Sequence, residues 1–98
     1  MPVHLTDFSN DKYVVLKAMH AHQIPFGEDY VVPLSQEEIS QIVDFSRPKV
    51  NQLMKELMED GYIEPYHDKR GRYMLTPRGL TVVDVFETLI PPAKQVHN

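Results

Sequence analysis

The feature that most constrains the fold of this chain is a pair of predicted helices separated by only a few residues. Residues 35–38, Ser-Gln-Glu-Glu, have the form of a capping box. In such a box the Ser35 hydroxyl accepts from the backbone N–H of Glu38, and the Glu38 carboxylate reaches back to the N–H of Ser35. The helix that follows is short and breaks at residues 44–45, and a second helix is predicted at residues 47–60. So short a break makes the chain double back, which predicts a helix-turn-helix.

The second of these helices has the clearest amphipathic pattern in the sequence. Ser46 is placed to cap it, and Pro48 lies in its first turn, where a missing N–H costs nothing. At about 100° per residue the apolar side chains fall within an arc of about 140°. They are Val50, Leu53, Met54, Leu57 and Met58. In the shorter helix before it, the residues expected to face the core are Ile39, Ile42 and Val43.

The region before this motif is predicted to hold one helix and one short strand. The helix runs from about Asn10 to His22 and is capped by Ser9. Its core-facing residues are Val15, Leu16 and Met19, and a second, smaller group consists of Val14, Ala18 and Ala21. A loop then leads to a β-rich run at residues 30–34, which Pro33 restricts to a sheet edge or a strand end.

The region after the motif is predicted to hold a hairpin and a last helix. Residues 62–66 and 72–75 are typical of two strands, and the polar run between them gives the hairpin a basic tip. Pro77 lies at the start of a helix that extends to about Ile90. The expected fold class is therefore α+β, mainly α. It is a winged helix-turn-helix with a three-helix core, a small antiparallel β-hairpin as the wing and an additional C-terminal helix.

The length and composition indicate one small domain. With 98 residues and 42% hydrophobic residues, there is room for a single modest core. We expect one domain over residues 1–98, with its core at about 9–90 and flexible tails at 1–8 and 91–98. The chain has no cysteine, which excludes disulfides and thiolate metal sites and suits a reducing compartment. Without a run of ~20 apolar residues, no membrane association is expected, and we predict a cytoplasmic location.

Residues 34–79 resemble the DNA-binding core of the MarR-type and related winged-helix regulators. The matching segments are 34–39 (LSQEEI), 45–50 (FSRPKV), Leu53, Leu57, Glu59, 61–63 (GYI), 68–70 (DKR) and 75–79 (LTPRG). The resemblance implies double-stranded DNA as the partner, a helix at 47–60 in the major groove and a wing at 66–73 on the backbone or in the minor groove. MarR-type members are usually longer, with extended helices at both ends that form the dimer.

The distribution of charge favours the same partner despite a formal net charge of -4. Residues 47–78 hold seven of the ten basic residues and five acidic ones, which makes that stretch +2 and the remainder -6. The local field, and not the net charge, governs the approach to a polyanion. One basic face is therefore expected on an acidic protein.

The candidate DNA-binding residues fall into two groups. On the wing, the expected phosphate contacts are Lys69, Arg70 and Arg72. On the exposed face of the recognition helix, the expected base-reading residues are Ser46, Arg47, Lys49, Asn51, Gln52 and Lys55. The amides of Asn51 and Gln52 match adenine edges. Each of these side chains, taken alone, is also typical of an ordinary solvated helix face, and Glu56 and Glu59 are placed to pair with Lys55 or to repel phosphate.

Other classes of function receive little support from the sequence. It contains no phosphate-binding glycine loop, no nucleophile elbow and no histidine-glutamate metal motif. Its histidines are scattered, and His20 and His22 are spaced so that they diverge on a helix. We therefore expect no enzyme activity, no metal and no cofactor. The alternative function is a winged-helix module for protein interaction, or for replication or partition assembly, which net acidity and small size suit.

The last helix carries more apolar surface than one core face needs. Its apolar side chains span about 220°, against the ~100° of a single stripe. We predict a homodimer in which Phe86, Leu89 and Ile90 pack against a second copy, together with the small group Val14, Ala18 and Ala21. A two-fold dimer reads a near-palindromic site. In the alternative interpretation, the first helix and the 23–30 loop of the same chain cover this face.

Overall fold

Four helices and two short hairpins make up the part of the chain that the computed structural model describes, residues 10–68 and 71–89. The elements in chain order are α1 (Asn10–Ala21), β1 (Ile24–Phe26), β2 (Asp29–Val31), α2 (Gln36–Val43), α3 (Arg47–Glu59), β3 (Ile63–Pro65), a 3-10 turn (Tyr66–Asp68), β4 (Tyr73–Leu75) and α4 (Pro77–Leu89). None of the helices in these ranges is long and apolar enough to cross a membrane. The predicted tails, 1–8 and 91–98, lie outside the described residues.

The turn between α2 and α3 is held by local hydrogen bonds. At the start of α2 the capping box is present, with the Ser35 hydroxyl accepting from the backbone N–H of Glu38 at 3.1 Å and the Ser35 N–H donating to the Glu38 carboxylate at 2.9 Å. At its end Asp44 has the left-handed conformation, with φ 60°. The Phe45 N–H donates to the Ser40 carbonyl at 3.2 Å, and the Ser40 hydroxyl donates to the Phe45 carbonyl. These bonds determine the direction in which α3 leaves the turn.

The core lies where α1, α2, α3 and α4 meet. The side chains that are fully buried come from all four helices and include Val15, Leu16, Met19, Ile39, Val50, Met54, Leu57, Val82 and Val83. This burial confirms the inward face predicted for α3. The expectation for Ile42 was wrong, since its side chain is 43% exposed. Three residues on from Ile39, it is rotated by about 60° around the helix, and it lies at the edge of a groove between α1 and α2.

A hairpin stands where the sequence analysis predicted a loop and a strand at residues 30–34. Strands β1 and β2 pair antiparallel, with Ile24 opposite Val31 and a two-residue loop that begins at Gly27 with φ 64°. A loop of this length favours glycine at its first position, because positive φ is required there. Beyond β2, Val32 pairs with Tyr73 of β4 through hydrogen bonds of 2.7 and 3.1 Å. The strand does not continue through Pro33, which has no N–H to donate.

The start of α4 packs closely on the turn that follows α3. The Thr76 N–H donates to the Tyr62 carbonyl at 3.1 Å, and the Thr76 hydroxyl donates to the Gly61 carbonyl at 2.6 Å. Gly79 lies one helical turn further on, and a Cβ atom at this position would overlap the Tyr62 carbonyl oxygen. The glycine of the 75–79 motif therefore permits the approach of α4 to the backbone.

We expect Gly79→Ala to lower the free energy of unfolding by about 1 to 3 kcal/mol, because the added methyl group collides with backbone. Helix propensity alone predicts the opposite sign, a gain of about 0.5 to 1 kcal/mol. Urea denaturation followed by circular dichroism measures the difference. Asp84→Ala, at an exposed position of the same helix, is the control and stays within about 0.5 kcal/mol of the parent. Equal or greater stability of the Gly79 variant would contradict the close packing.

Candidate nucleic-acid interface

Helix α3 presents a polar face that the other described elements leave uncovered. Its apolar residues are buried against α1 and α2, whereas the residues on its outer side are exposed. All six of the predicted base-reading residues are on the exposed side: Ser46, Arg47, Lys49, Asn51, Gln52 and Lys55. Ser46 is the N-cap, and its hydroxyl accepts from the Lys49 N–H at 3.3 Å. The Ser46 hydroxyl thus has a structural role at the end of the helix where contact with bases is expected.

Both basic residues of the first turn of α3 are in ion pairs with other helices. The Arg47 guanidinium lies 3.5 Å from the carboxylate of Glu37 in α2. The Lys49 ammonium lies 2.9 Å from the carboxylate of Asp11 in α1 and 4.2 Å from the centre of the Phe45 ring. Glu37 and Asp11 were not predicted as partners of these residues. Ion pairs between separate helices leave no periodic signal in a sequence.

The acidic residues of α3 are held partly by α1. Lys12 lies 3.0 Å from the Glu56 carboxylate and 3.8 Å from that of Asp60. The Gln52 amide donates to the same Glu56 carboxylate at 2.7 Å. The hydrogen bond from Gln52, followed by that from Lys12, lowers the pKa of Glu56 below its ordinary value. Glu56 therefore pairs with Lys12 of α1 and not with Lys55.

Asn51 and Lys55 remain open on the outer face of α3. Neither side chain makes a hydrogen bond or an ion pair with any residue in the ranges 10–68 and 71–89. Both are exposed. Of the six predicted base-reading residues, these two have side-chain donors and acceptors that no described residue occupies.

The wing is the hairpin of β3 and β4, in which Ile63 is opposite Leu75 and Pro65 is opposite Tyr73. Lys69 and Arg70, at its predicted basic tip, lie outside the described residues. Arg72 is described and exposed, and its guanidinium lies 5.6 Å from the centre of the Phe26 ring. Arg72, the only lysine or arginine of the wing among the described residues, therefore lies beside the β1–β2 hairpin.

The base of the wing is tied to the β1–β2 hairpin through Tyr66. The Tyr66 hydroxyl donates to the Asp29 carboxylate at 3.0 Å, and the Phe26 ring meets the Tyr66 ring edge to face at 5.9 Å. Burial and this hydrogen bond raise the pKa of Tyr66. The Tyr66 N–H also donates to the Arg72 carbonyl at 2.9 Å. Sequence reasoning missed Phe26, Asp29 and Tyr66, although a glycine between two short β-rich runs is a hairpin signal.

The residues predicted at a dimer interface are only partly described. Phe86 is half-buried, and the centre of its ring lies 4.4 Å from the centre of the Tyr13 ring of the same chain. Ile90 and the side chain of Leu89 lie outside the described residues. The small group Val14, Ala18 and Ala21 lines an open groove of about 540 Å³ between α1 and α2. Among the described residues no cluster of three or more His, Cys, Asp or Glu side chains is arranged to hold a metal ion.

Several solved structures have a similar fold. The Staphylococcus aureus MepR–DNA complex has a TM-score of 0.69 and 24% identity over 92% of this chain and 62% of that chain. MepR, a MarR-type transcription regulator of the multidrug efflux pump MepA, has a TM-score of 0.67 and 23% identity over the same shares of the two chains. The reduced CO-sensing protein from R. rubrum has a TM-score of 0.67 and 20% identity over 81% of this chain and 38% of that chain. This chain thus spans less than two thirds of the length of each of them.

These comparisons confirm the predicted winged helix-turn-helix fold. No curated protein matches the chain. The family model of the Crp-like helix-turn-helix domain matches residues 13–82, which run from α1 through the turn, α3 and the wing into α4. The match extends over more than half of the sequence, and the chain therefore belongs to the family of Crp-like helix-turn-helix domains.

Proposed function

We propose that this protein is a transcriptional regulator that binds double-stranded DNA in a sequence-specific manner. The observation that carries the proposal is the exposed polar face of α3, which stands on the surface beside the wing. An α-helix fits the major groove of B-DNA, where each base pair has its own pattern of donors and acceptors. Membership of a helix-turn-helix family supports this use of α3. Because the work of such a regulator takes place on DNA, we propose a cytoplasmic location.

In this proposal α3 reads bases through the part of its face that is open. The amide of Asn51 has the donor and acceptor that match the N6 and N7 edge of adenine, and Lys55 donates to guanine or to a phosphate. Arg47 and Lys49 reach the DNA by exchanging their present carboxylate partners for phosphate or guanine. Gln52 must likewise release Glu56 before it can contact a base. Ser46 positions the first turn of the helix by capping it.

The wing supplies the contacts that do not depend on sequence. We assign Lys69, Arg70 and Arg72 to phosphates or to the minor groove, where arginine is favoured when the groove is narrow. Arg72 lies against the ring of Phe26, which limits the number of positions its guanidinium adopts. The structural relative MepR was solved in complex with DNA, which supports DNA as the partner.

We also propose that two copies bind as a homodimer to a near-palindromic site. The interface would use Phe86, Leu89 and Ile90. Leu80, on the same helix, is 42% exposed, so α4 carries apolar surface beyond what its own core covers. A two-fold dimer places two copies of α3 about one helical turn of DNA apart.

A second candidate function, the protein-interaction or replication and partition assembly module, is favoured by one observation. The β1–β2 hairpin exposes Ile24, Phe26 and Tyr30, whose side chains are 46%, 49% and 58% exposed. Exposed apolar side chains grouped on one hairpin are typical of a protein contact. If this function is correct, Tyr30→Ala abolishes activity in the cell, and Arg72→Ala leaves it intact.

Binding to a mixed-sequence duplex should fall steeply as salt increases, and Arg72→Ala should make the slope shallower by about 0.9, the value of one phosphate contact. Fluorescence anisotropy across a salt series measures both quantities. Lys17→Ala removes the same charge from an exposed position of α1 and is the matched control, with no change of slope. If the parent protein shows no salt-dependent binding at low ionic strength, the DNA proposal fails and the interaction module takes its place.

Asn51→Ala should weaken binding to a preferred site by about 1 to 3 kcal/mol, because one bidentate contact to a base is lost. The site is obtained first, by selection from a random duplex pool. Competition binding then compares that site with unselected DNA, for which the variant and the parent should be equal. Gln41→Ala, an exposed amide of α2, is the control. Equal losses on both kinds of DNA would contradict a base-reading role.

Sedimentation tests the homodimer. The parent is expected at twice the chain mass, and Leu89→Glu should sediment as a monomer, because a buried carboxylate without a partner opposes association. Thr81→Glu places the same charge at an exposed polar position near the start of α4 and should leave the dimer intact. An unchanged mass for the Leu89 variant removes the proposed interface.

A further inference from the structure

Two carboxylates from neighbouring helices pair with the basic side chains in the first turn of α3. Asp11 of α1 lies 2.9 Å from the Lys49 ammonium, and Glu37 of α2 lies 3.5 Å from the Arg47 guanidinium. Each basic side chain is thereby paired with an opposite charge from a different helix. The positive charge of the first turn of α3 is largely cancelled before DNA arrives.

These two ion pairs differ in exposure from the pair between Lys12 and Glu56. The side chains of Lys49 and Asp11 are both 44% exposed, and those of Arg47 and Glu37 are 61% and 59% exposed. The Lys12 side chain is only 17% exposed and bridges two acidic residues of α3. Exposed pairs contribute little to stability because solvent screens them. The pairs at the first turn of α3 are therefore easily exchanged, whereas the Lys12 contact helps to hold α1 against α3.

Exchange of partners does not remove the carboxylates from the interface. Asp11 lies 2.9 Å from the Lys49 ammonium, so a phosphate that binds this ammonium near its present position is repelled by the carboxylate. Sequence-independent binding depends almost entirely on attraction between basic side chains and phosphate. The two carboxylates thus oppose non-specific binding more than they oppose binding that is also stabilised by base contacts.

We propose that Asp11 and Glu37 are specificity-determining residues, which pair with Lys49 and Arg47 in the free protein and so weaken binding to DNA that lacks the preferred bases. This inference rests on the proposed DNA-binding function. It assigns a role to acidic residues outside the recognition helix, and it is consistent with a regulator whose net charge is -4.

The test is the affinity of Asp11→Asn for a random-sequence duplex, measured by anisotropy across a salt series. One further phosphate contact gives a slope steeper by about 0.9 and about eightfold tighter binding at 0.1 M than at 1 M salt. At 0.1 M salt we expect Asp11→Asn to bind this duplex about three- to eightfold more tightly than the parent, as a gain of up to one phosphate contact predicts. The gain on the selected site should be smaller, so the ratio of specific to non-specific affinity falls. Glu37→Gln should act in the same direction.

Asp84→Asn is the matched control, since it makes the same change of net charge on α4, at a carboxylate that has no ion pair among residues 10–68 and 71–89. The double variant Asp11→Asn with Lys49→Gln tests whether the gain passes through Lys49, and it should bind no more tightly than Lys49→Gln alone. Far-ultraviolet circular dichroism checks that every variant is folded.

Several outcomes overturn the inference while the proposed function stands. A gain equal to that of Asp84→Asn means that only net charge matters. Weaker binding by Asp11→Asn means that the ion pair orients Lys49 towards DNA. A gain that persists when Lys49 is replaced means that Asp11 acts on another group. Absence of salt-dependent binding by the parent is a different result, because it removes the DNA-binding function and this inference together.

Discussion

The left-handed residue at the turn between α2 and α3 is the constraint on which the rest of the structure depends. Asp44 reverses the chain in a single step, and the bonds between Ser40 and Phe45 close the turn on both sides. The next helix then begins at once, with Ser46 as its cap. Because the turn is short and held by these hydrogen bonds, the residues of the turn themselves determine the angle between α2 and α3. Helix α1 packs on both α2 and α3, and α4 packs on α1 and on β4 of the wing.

Much of this fold can be predicted from the sequence, because short residue patterns mark where a helix begins and where it ends. The capping box, the proline of the first turn of α3 and the helix-ending glycine predict the bounds of the central helices within one residue. The first strand of the β1–β2 hairpin was missed because Pro25 lies at its centre, and a proline inside a run argues against a strand. Ile42 was misplaced for a different reason. In a helix of only eight residues, the neighbours in space decide which flank of the apolar side is covered.

The candidate site was predicted less completely than the fold. The exposed residues of α3 follow from the helical period, but the partners of their side chains do not. Asp11 and Glu37 belong to other helices, and only the packing of α1 and α2 brings them to Lys49 and Arg47. The same holds for Phe26 and Asp29, which reach the wing across the fold. Contacts of this kind depend on tertiary geometry, which no spacing along the chain encodes.

The tie between the two hairpins has a mechanical consequence. The β1–β2 hairpin is joined to α1 at one end and, through residues 32–35, to α2 at the other. Tyr66 and Arg72 contact it through a ring pair, a hydrogen bond and a guanidinium beside the Phe26 ring, and Val32 pairs with Tyr73 of β4. The ring pair and the hydrogen bond are each worth about 0.5 to 1.5 kcal/mol. The base of the wing is therefore braced against the segment that joins α1 to α2, so the wing is held in place by a second part of the chain as well as by the pairing of its own two strands.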